Sequence, residues 1–371
     1  MKELNDIIRA YDKAVSQNKK TALATVVKVE GSSYRRPGAR MLVTEDGALT
    51  GAISGGCLEG DALRKAQFAI FQQQNKLEVY ETTDEGDERL GVQLGCNGTV
   101  YILFEPIINE DPNNPINLLK KIAQNRKDAV LATVFSIGIQ KQQTGTCYFV
   151  NDDEKILLGD SPDIETDGRL ILDQKNSVVK DYNDRSVLYQ FIPPPIQLVI
   201  VGAGNDVQPL AELAYLLGWE LIIVDGRPAY ARRDRFPNAN RVCMVKPSEV
   251  LSVVNVDAQT AVVLMTHNYN YDMAALSKLI HTNCHFIGVL GPKKKLQKML
   301  DELTEKGIEI NDEARRRIYG PVGFDIGAET SEEIALSILA EIKAVFSNRG
   351  GTSLKERIAE IHERSTIWQH E

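Results

Sequence analysis

Leu4, Ile7, Ile8, Tyr11, Ala14 and Val15 recur at the spacing of one helical face, and they predict an opening helix over Glu3–Gln17. The β-branched run Thr21–Lys28 reads as a strand. A loop follows over Glu30–Gly38, then a second strand around Ala39–Thr44 and a turn at Glu45–Gly47. Leu58, Ala62, Ala66, Ala69 and Ile70 return to helical spacing and predict a helix over about Leu58–Gln74. A strand around Thr99–Phe104 closes this part of the chain.

The pattern then repeats. Leu23-Ala24-Thr25-Val26 recurs as Leu131-Ala132-Thr133-Val134, and at the same offset Gly51 meets Gly159 and the acidic turn Glu45-Asp46 meets Asp153-Glu154. Tyr101-Ile102-Leu103-Phe104-Glu105-Pro106 has a later echo in Val187–Pro193. Two related strand-rich halves are expected, about 20–107 and 128–192, sharing one sheet or packing together. A chance identity between two strands is the plain alternative. Gly31-Ser32-Ser33, Arg35-Arg36-Pro37-Gly38 and Gly55-Gly56-Cys57 belong to the first half alone. If the shared part is scaffold, the unshared part is where function was added.

Pro193-Pro194-Pro195 is a stiff extended connector, and beyond it the texture changes. Gln197–Val201 is a continuous apolar run of the buried parallel type, followed by Gly202-Ala203-Gly204 and a helix to Leu217. Further strands are read at Trp219–Val224, Ala261–Met265 and His285–Leu290, with a last helix over Thr330–Phe346 opened by a capping-box spacing of Thr330 and Glu333. The fold class is therefore α/β. A strand-rich α+β N-terminal domain with an internal repeat spans 1–192, and a Rossmann-like doubly wound parallel sheet spans 196–346. The tail 347–371 is expected to be helical, with a short polar helix over 353–364.

Composition narrows the class. The 371 residues are 43% hydrophobic and 25% charged, as in an ordinary globular chain. Acids outnumber bases, 51 to 43, for a net charge of −8, which argues against nucleic acid or an anionic membrane as partner. No apolar run approaches the ~20 residues of a membrane helix, and the N-terminus lacks a signal pattern. The five cysteines, Cys57, Cys96, Cys147, Cys243 and Cys284, are scattered and form no CxxC, so neither a disulfide framework nor a structural zinc site is expected. A cytoplasmic chain with reduced thiols follows.

In the C-terminal part, Gly202 and Gly204 follow a strand and open a helix, and Asp225 ends the next strand. That is the layout of a dinucleotide loop with its ribose-binding acid. Val207 stands where the third glycine belongs. Arg227, His267, Asn268 and Lys293 are read at or near the carboxyl ends of strands, where open α/β sheets bind ligands, and Asp325 lies in the Gly- and Pro-rich loop Gly320–Gly327. His267 is the candidate acid, base or ligand, and equally a histidine bonded to backbone at a strand end. Lys293–Lys295 fits a phosphate grip or, more plainly, a solvated helix start. His281 and His285 would form a metal pair only on one helix, and a helix end followed by a strand fits them better.

The N-terminal half holds the denser constellation. Ser32, Ser33, Arg35, Arg36, Gly38 and Arg40 combine hydroxyls, three guanidinium groups and glycine in one loop, the chemistry of phosphate or carboxylate binding. Gly55, Gly56, Cys57 and Glu59 lie at a helix start, where exposed N–H groups favour a thiolate. Cys96 sits on a second glycine turn. Cys57 and Cys96 thus suit a soft metal or a sulfur-bearing ligand, Cys57 doubling as a catalytic candidate, unless both are small buried residues.

At these residues the chain resembles the XdhC/CoxI family, the accessory proteins of xanthine dehydrogenase and related molybdenum hydroxylases. The resemblance rests on Leu23-Ala24-Thr25-Val26, Gly31-Ser32-Ser33, Arg36–Met41, Gly55–Glu59 and Gly95–Gly98. In the C-terminal part it rests on Gly202-Ala203-Gly204, Val224-Asp225, Arg227, Phe236-Pro237, Thr266-His267, Gly291 and Pro321–Ala328, continuing through Glu332–Ala335. It implies a two-domain homodimer that binds molybdenum cofactor, assists its sulfuration with a cysteine desulfurase, and delivers it to a molybdenum hydroxylase such as xanthine dehydrogenase. On that reading Arg36, Arg40, Ser32 and Ser33 hold the anionic tail and Cys57 faces the metal end. The chain departs from the family at Asn205 and Val207, where His and Gly are usual, so nucleotide binding by that loop does not follow from the resemblance.

The chain lacks an iron–sulfur cysteine cluster and the length of a molybdenum hydroxylase, so it is expected to be an accessory factor without xanthine turnover of its own. The competing expectations are an NAD(P)-dependent oxidoreductase built on Gly202, Gly204, Asp225 and His267, and a scaffold that joins desulfurase to client with no ligand of its own.

Overall fold

The computed structural model describes residues 1–56, 58–81, 98–138, 142–159 and 161–358, together with the backbone of 367 and 368. It divides into two compact units that meet at Pro194 and Pro195. Among the described residues no helix is long and apolar enough to cross a membrane.

The first unit opens with α1 (Lys2–Ser16) and contains two sheets. One is built from β1 (Thr21–Gly31), β2 (Arg40–Thr44), β3 (Leu49–Gly51), β4 (Lys76–Glu81) and β5 (Gly98–Pro106), in the order β3-β2-β1-β5-β4, with helix α2 (Glu59–Gln72) between β3 and β4. After α3 (Pro115–Gln124), the other sheet is built from β6 (Ala129–Phe135), β7 (Gly145–Asn151), β8 (Lys155–Leu157), β9 (Val178–Asp181) and β10 (Ser186–Ile192). Helix α4 (Pro162–Gln174) lies between β8 and β9. Its order runs β8-β7-β6-β10-β9, the same as the first sheet element for element, with one added strand described below. The two halves form separate sheets rather than one.

Strand alternation places each sheet between two apolar layers. In β1, Ala22, Ala24 and Val26 pack with Ala62, Ala66 and Ala69 of α2, while Leu23 and Val27 point the other way. There Leu23 and Leu42 meet Leu131 and Phe149, and Tyr101 and Leu103 meet Phe135 and Leu188, so the two sheets pack face to face. On the far side Val130, Ala132 and Tyr148 pack against Ile164, Ile171 and Leu172 of α4. Both faces being covered, every residue of β2, β6 and β7 is buried.

The second unit is one parallel sheet of β11 (Gln197–Val201), β12 (Glu220–Asp225), β13 (Arg241–Met244), β14 (Thr260–Leu264), β15 (Phe286–Val289) and β16 (Ile318–Tyr319), in the order β13-β12-β11-β14-β15-β16. The order reverses between β11 and β14, the switch point at which doubly wound sheets bind ligands. Helices α5 (Val207–Leu216) and α9 (Ser331–Phe346) cover one face. Helices α6 (Tyr269–Leu279) and α7 (Lys293–Glu305) cover the other, with α8 (Asp312–Arg316) following α7. Val207 is fully buried in the core with Leu198, Ile200 and Ala335, so its bulk is absorbed by packing. The Thr330–Glu333 capping box forms as the spacing predicts.

The tail differs from its helical expectation. Leu354–Glu356 is a single 3-10 turn that Arg357 leaves in an extended conformation, and the chain returns as β17 (Ile367–Trp368), parallel to β9. The remainder of the expected 353–364 helix lies outside the described residues.

Candidate functional site

The Ser32–Gly38 loop leaves β1 and returns into β2. Ser32 and Arg36 are exposed, Ser33 is half-buried, and Arg35 N–H donates to Ser33 Oγ at 3.4 Å. The Arg35 side chain turns inward instead of offering itself to a ligand. Its Nε donates to Ala52 O at 3.0 Å and its Nη2 pairs with Glu3. Beside it, the Tyr34 ring lies against Gly55, where an added Cβ would come within 3.5 Å of Tyr34 Cγ. Arg35 and Tyr34 together fasten the loop to the turn that starts α2.

That turn is organised by Ser54. Its Oγ accepts from Gly56 N at 3.2 Å and from Leu58 N at 3.1 Å, and donates to the Glu59 carboxylate, which also accepts from Ser54 N at 3.0 Å. Glu59 is therefore tied to the turn that precedes α2. Gly56 has φ of +109°, and among the described residues no atom beyond its chain neighbours lies within 4 Å of where its Cβ would be. Cys57 and Cys96 both lie outside the described residues.

Arg40 is placed differently from its sequence expectation. It begins β2 on the face turned toward the second sheet and is only 6% exposed. Its Nη1 donates to Gly38 O at 3.0 Å and to Gln190 Oε1 of β10 at 2.6 Å, while Nη2 is buried with no partner among the described residues. Burial draws its pKa down to about 10, against the opposing pull of Glu105 and Glu3. A guanidinium enclosed in this way braces the loop from beneath and does not reach a ligand above it. Gly38 is required here, since a Cβ would strike the Gln190 side chain at 2.3 Å. Gln190, which no sequence motif marks, completes the brace.

In the second unit the glycine loop is held by its own neighbours. Asp225 is buried. Its Oδ2 accepts from Ala203 N at 2.8 Å and Arg227 Nη2 at 2.7 Å, and its Oδ1 accepts from Arg227 N at 2.8 Å and Nε at 3.0 Å. Burial pushes this carboxyl up, but the bonds from Arg227 and Ala203 outweigh burial and hold it below the usual carboxylate range. Arg235 takes the opposite side of the loop, donating to Ala203 O at 2.5 Å and Asn205 Oδ1 at 2.8 Å. The Asp206 carboxylate lies over Gly204, where a Cβ would come within 2.3 Å of Oδ1, and pairs with His267 Nε2 at 2.8 Å. His267 holds a left-handed φ of +56°, a strained conformation for a residue with a side chain. Gly202 and Gly204 thus flank groups already satisfied by protein.

Two residues there escape sequence reasoning. Asp272, fully buried at the start of α6, accepts from Thr266 Oγ1 at 2.6 Å and pairs with Lys295 Nζ at 2.7 Å. In the sequence Lys295 stands out only as one of three lysines. Asp325 is exposed, and its loop is pinned to α9 by Ser337 Oγ to Phe324 O at 2.6 Å and Gly323 N to Glu341 at 2.8 Å. His285 lies against the Phe346 ring, 4.9 Å between centroids. Among the described residues no three His, Cys, Asp or Glu side chains gather at metal-binding distance.

Comparison with known proteins agrees across both units. Residues 198–342 match the family model described as the XdhC Rossmann domain, and residues 14–81 match that of the XdhC and CoxI family. A Bacillus subtilis (strain 168) protein, named as a probable xanthine dehydrogenase subunit, is 30% identical over 333 residues, 89% of this chain and 94% of that protein. The molybdenum cofactor insertion chaperone PaoD of Escherichia coli (strain K12) is 24% identical over 339 residues, 91% of this chain and 87% of PaoD. A crystal structure from Bacillus halodurans, described as a xanthine dehydrogenase, is similar with a TM-score of 0.75 at 28% identity, covering 94% of this chain and 98% of that one.

Proposed function

The chain belongs to the XdhC and CoxI family, and from that premise we propose that it is a molybdenum cofactor chaperone. It binds the cofactor on its N-terminal unit, assists sulfuration with a cysteine desulfurase, and delivers the product to an immature molybdenum hydroxylase of the xanthine dehydrogenase type. The name of its relative PaoD supports the role. The observation that carries the site is the junction of two loops, made by Tyr34 on Gly55 and by Arg35 on Ala52 O. That junction ties the loop that bears Arg36 to the Ala52–Gly56 turn, next in sequence to position 57.

The residues fit a phosphate-bearing ligand with a metal–dithiolene head. Arg36, Ser32 and Ser33 carry the charge and hydroxyls that suit the phosphate, and Gly56, with no side chain, suits a close approach to the backbone. Cys57 is assigned to the metal end. Arg35 and Arg40 act as braces. The bound cofactor would supply the molybdenum and its exchangeable sulfur, and the protein's part is to hold and orient it.

Titration of the purified chain with molybdenum cofactor tests this reading. Arg36→Ala should weaken binding by ~10–100-fold, the worth of one charge-assisted hydrogen bond. Unchanged affinity in both Arg36→Ala and Cys57→Ser would remove the site. The oxidoreductase alternative is weakened by Asp225, whose two oxygens already take four hydrogen bonds where a ribose hydroxyl would bind.

A further inference from the structure

Resting on the chaperone reading, we infer that the Tyr34 ring is the seat on which the ligand's flat heterocycle stacks, the aminopyrimidinone ring of a pterin. Residues 32–38 and 52–56 make up the two joined loops, and Tyr34 is the one aromatic residue in them. It is 70% exposed, yet its ring is held in place.

Three contacts fix that ring. Arg35, the next residue, is tied down by Nε to Ala52 O at 3.0 Å and by its ion pair with Glu3. Arg35 N donates to Ser33 Oγ at 3.4 Å and so bends the backbone around Tyr34. The ring itself lies on Gly55. The place a Gly55 Cβ would take is 3.5 Å from Tyr34 Cγ, 3.6 Å from Cδ1 and 3.7 Å from Cδ2. A point so nearly equidistant from three ring atoms stands over the face of the ring, because a point beside its edge would be much closer to one of them. Glycine at 55 thus lets the ring lie flat on the turn. With one face on Gly55 and the residue 70% exposed, the opposite face is the one in water.

A ring face held in a fixed orientation takes another flat ring by offset stacking, at little cost in conformational freedom. Its neighbours say what else the ligand carries. Arg36 lies two residues further along the loop and Ser32 two residues back, both exposed, and both suit a phosphate. The matching ligand therefore joins a flat heterocycle to a phosphate. The pterin of molybdenum cofactor does so, and a purine nucleotide shares that chemistry. Recognition through the ring also demands that the site hold a pterin phosphate without its metal.

The test titrates the full chain with hydroxymethylpterin phosphate, a fluorescent and metal-free probe, and with glycerol phosphate as its ringless counterpart. Wild type should bind the pterin phosphate at least ~10-fold more tightly, with its fluorescence quenched by contact with the phenol. Tyr34→Leu keeps an apolar side chain but loses the ring. It should weaken pterin phosphate by ~10-fold, at the low end of ring stacking, abolish the quenching and leave glycerol phosphate binding unchanged. Tyr34→Trp should retain both affinity and quenching. Equal loss of the two ligands in Tyr34→Leu would make the tyrosine a support of the loop and overturn the stacking seat. So would unchanged affinity and quenching in that variant. Tighter binding of GMP than of the pterin phosphate would make a purine nucleotide the ligand and overturn the pterin assignment. Titration with molybdenum cofactor runs in parallel. Ring-dependent binding of the pterin phosphate without binding of the cofactor upholds the seat and overturns the chaperone reading. Cofactor bound equally by wild type and Tyr34→Leu upholds that reading and overturns the seat.

Discussion

Arg40 on β2 donates to Gln190 on β10 at 2.6 Å, and the opposite exchange occurs alongside it, Thr146 on β7 donating to Glu105 on β5 through N at 2.6 Å and Oγ1 at 3.0 Å. The strand registers make these counterparts. Thr25 faces Arg40 as Thr133 faces Thr146, and Leu23 faces Glu105 as Leu131 faces Gln190. Each half thus sends a donor from its second strand to an acceptor on the last strand of the other. Gly38 and Gly145, with φ of +93° and +91°, make room for the two acceptors.

Arg40→Ala should therefore be a stability mutation. Its guanidinium is enclosed near the buried Glu105, and removing one member of a buried charged group costs ~3 kcal/mol or more. Urea unfolding followed by circular dichroism should show the loss. A variant within ~0.5 kcal/mol of wild type, the range of ordinary surface changes, would contradict the bracing role.

Glu105 makes a pH prediction. Burial pushes its carboxyl above the usual range, more than its bonds to Thr146 and the nearby Arg40 pull it down. A carboxyl whose folded pKa is raised contributes stability that is complete below its unfolded pKa and is lost as pH rises through the folded one. Glu105→Gln, which makes this position like its counterpart Gln190, should lose stability less steeply as pH rises. Thermal midpoints across acid to mildly alkaline pH would show the gap between variant and wild type widening with pH. A constant gap would mean that Glu105 does not titrate in that window.

The sequence pattern carries the architecture further than it carries the site. The β-branched run Thr21–Lys28 and the apolar run Gln197–Val201 announce strands because burial there follows from local composition. The repeat of Leu-Ala-Thr-Val anticipates two alike strand orders. Arg40 misleads because a charge after a glycine-rich loop looks solvent-facing, and only the second sheet, packed from far along the chain, encloses it. Asp225 is legible as the end of β12. That Arg227 folds back on it is a matter of two residues' geometry and not of any pattern. Helices α3 and α4 go unread in the sequence, each entered through a proline, Pro115 or Pro162.

The second unit should not recognise a nicotinamide dinucleotide in its present state. Calorimetry with NAD and NADP at ~1 mM should give no binding heat, placing any Kd above ~1 mM, a binding free energy weaker than ~4 kcal/mol. Arg227→Ala removes the Nε and Nη2 bonds to Asp225 and leaves that carboxylate able to accept a ribose hydroxyl, so NAD affinity should appear or rise in this variant. Wild type binding NAD more tightly than Arg227→Ala would show that the Asp225–Arg227 pair is part of a working nucleotide site.

The cysteines allow the cofactor site to be read by labelling of the native chain. Burial pushes the thiols of Cys147 and Cys284 up to about 12, so neither presents a thiolate near neutral pH. Iodoacetamide should leave both unmodified while the chain is folded. Cys243, partly exposed on β13, should react whether or not cofactor is present. Cys57, two residues before α2 in the sequence, is the thiol expected to react in the free chain and to be shielded once molybdenum cofactor is bound. Peptide mass mapping distinguishes all four positions in one experiment. Equal labelling of Cys57 with and without cofactor would move the metal end away from the α2 turn, while shielding of Cys57 alone would bind it there.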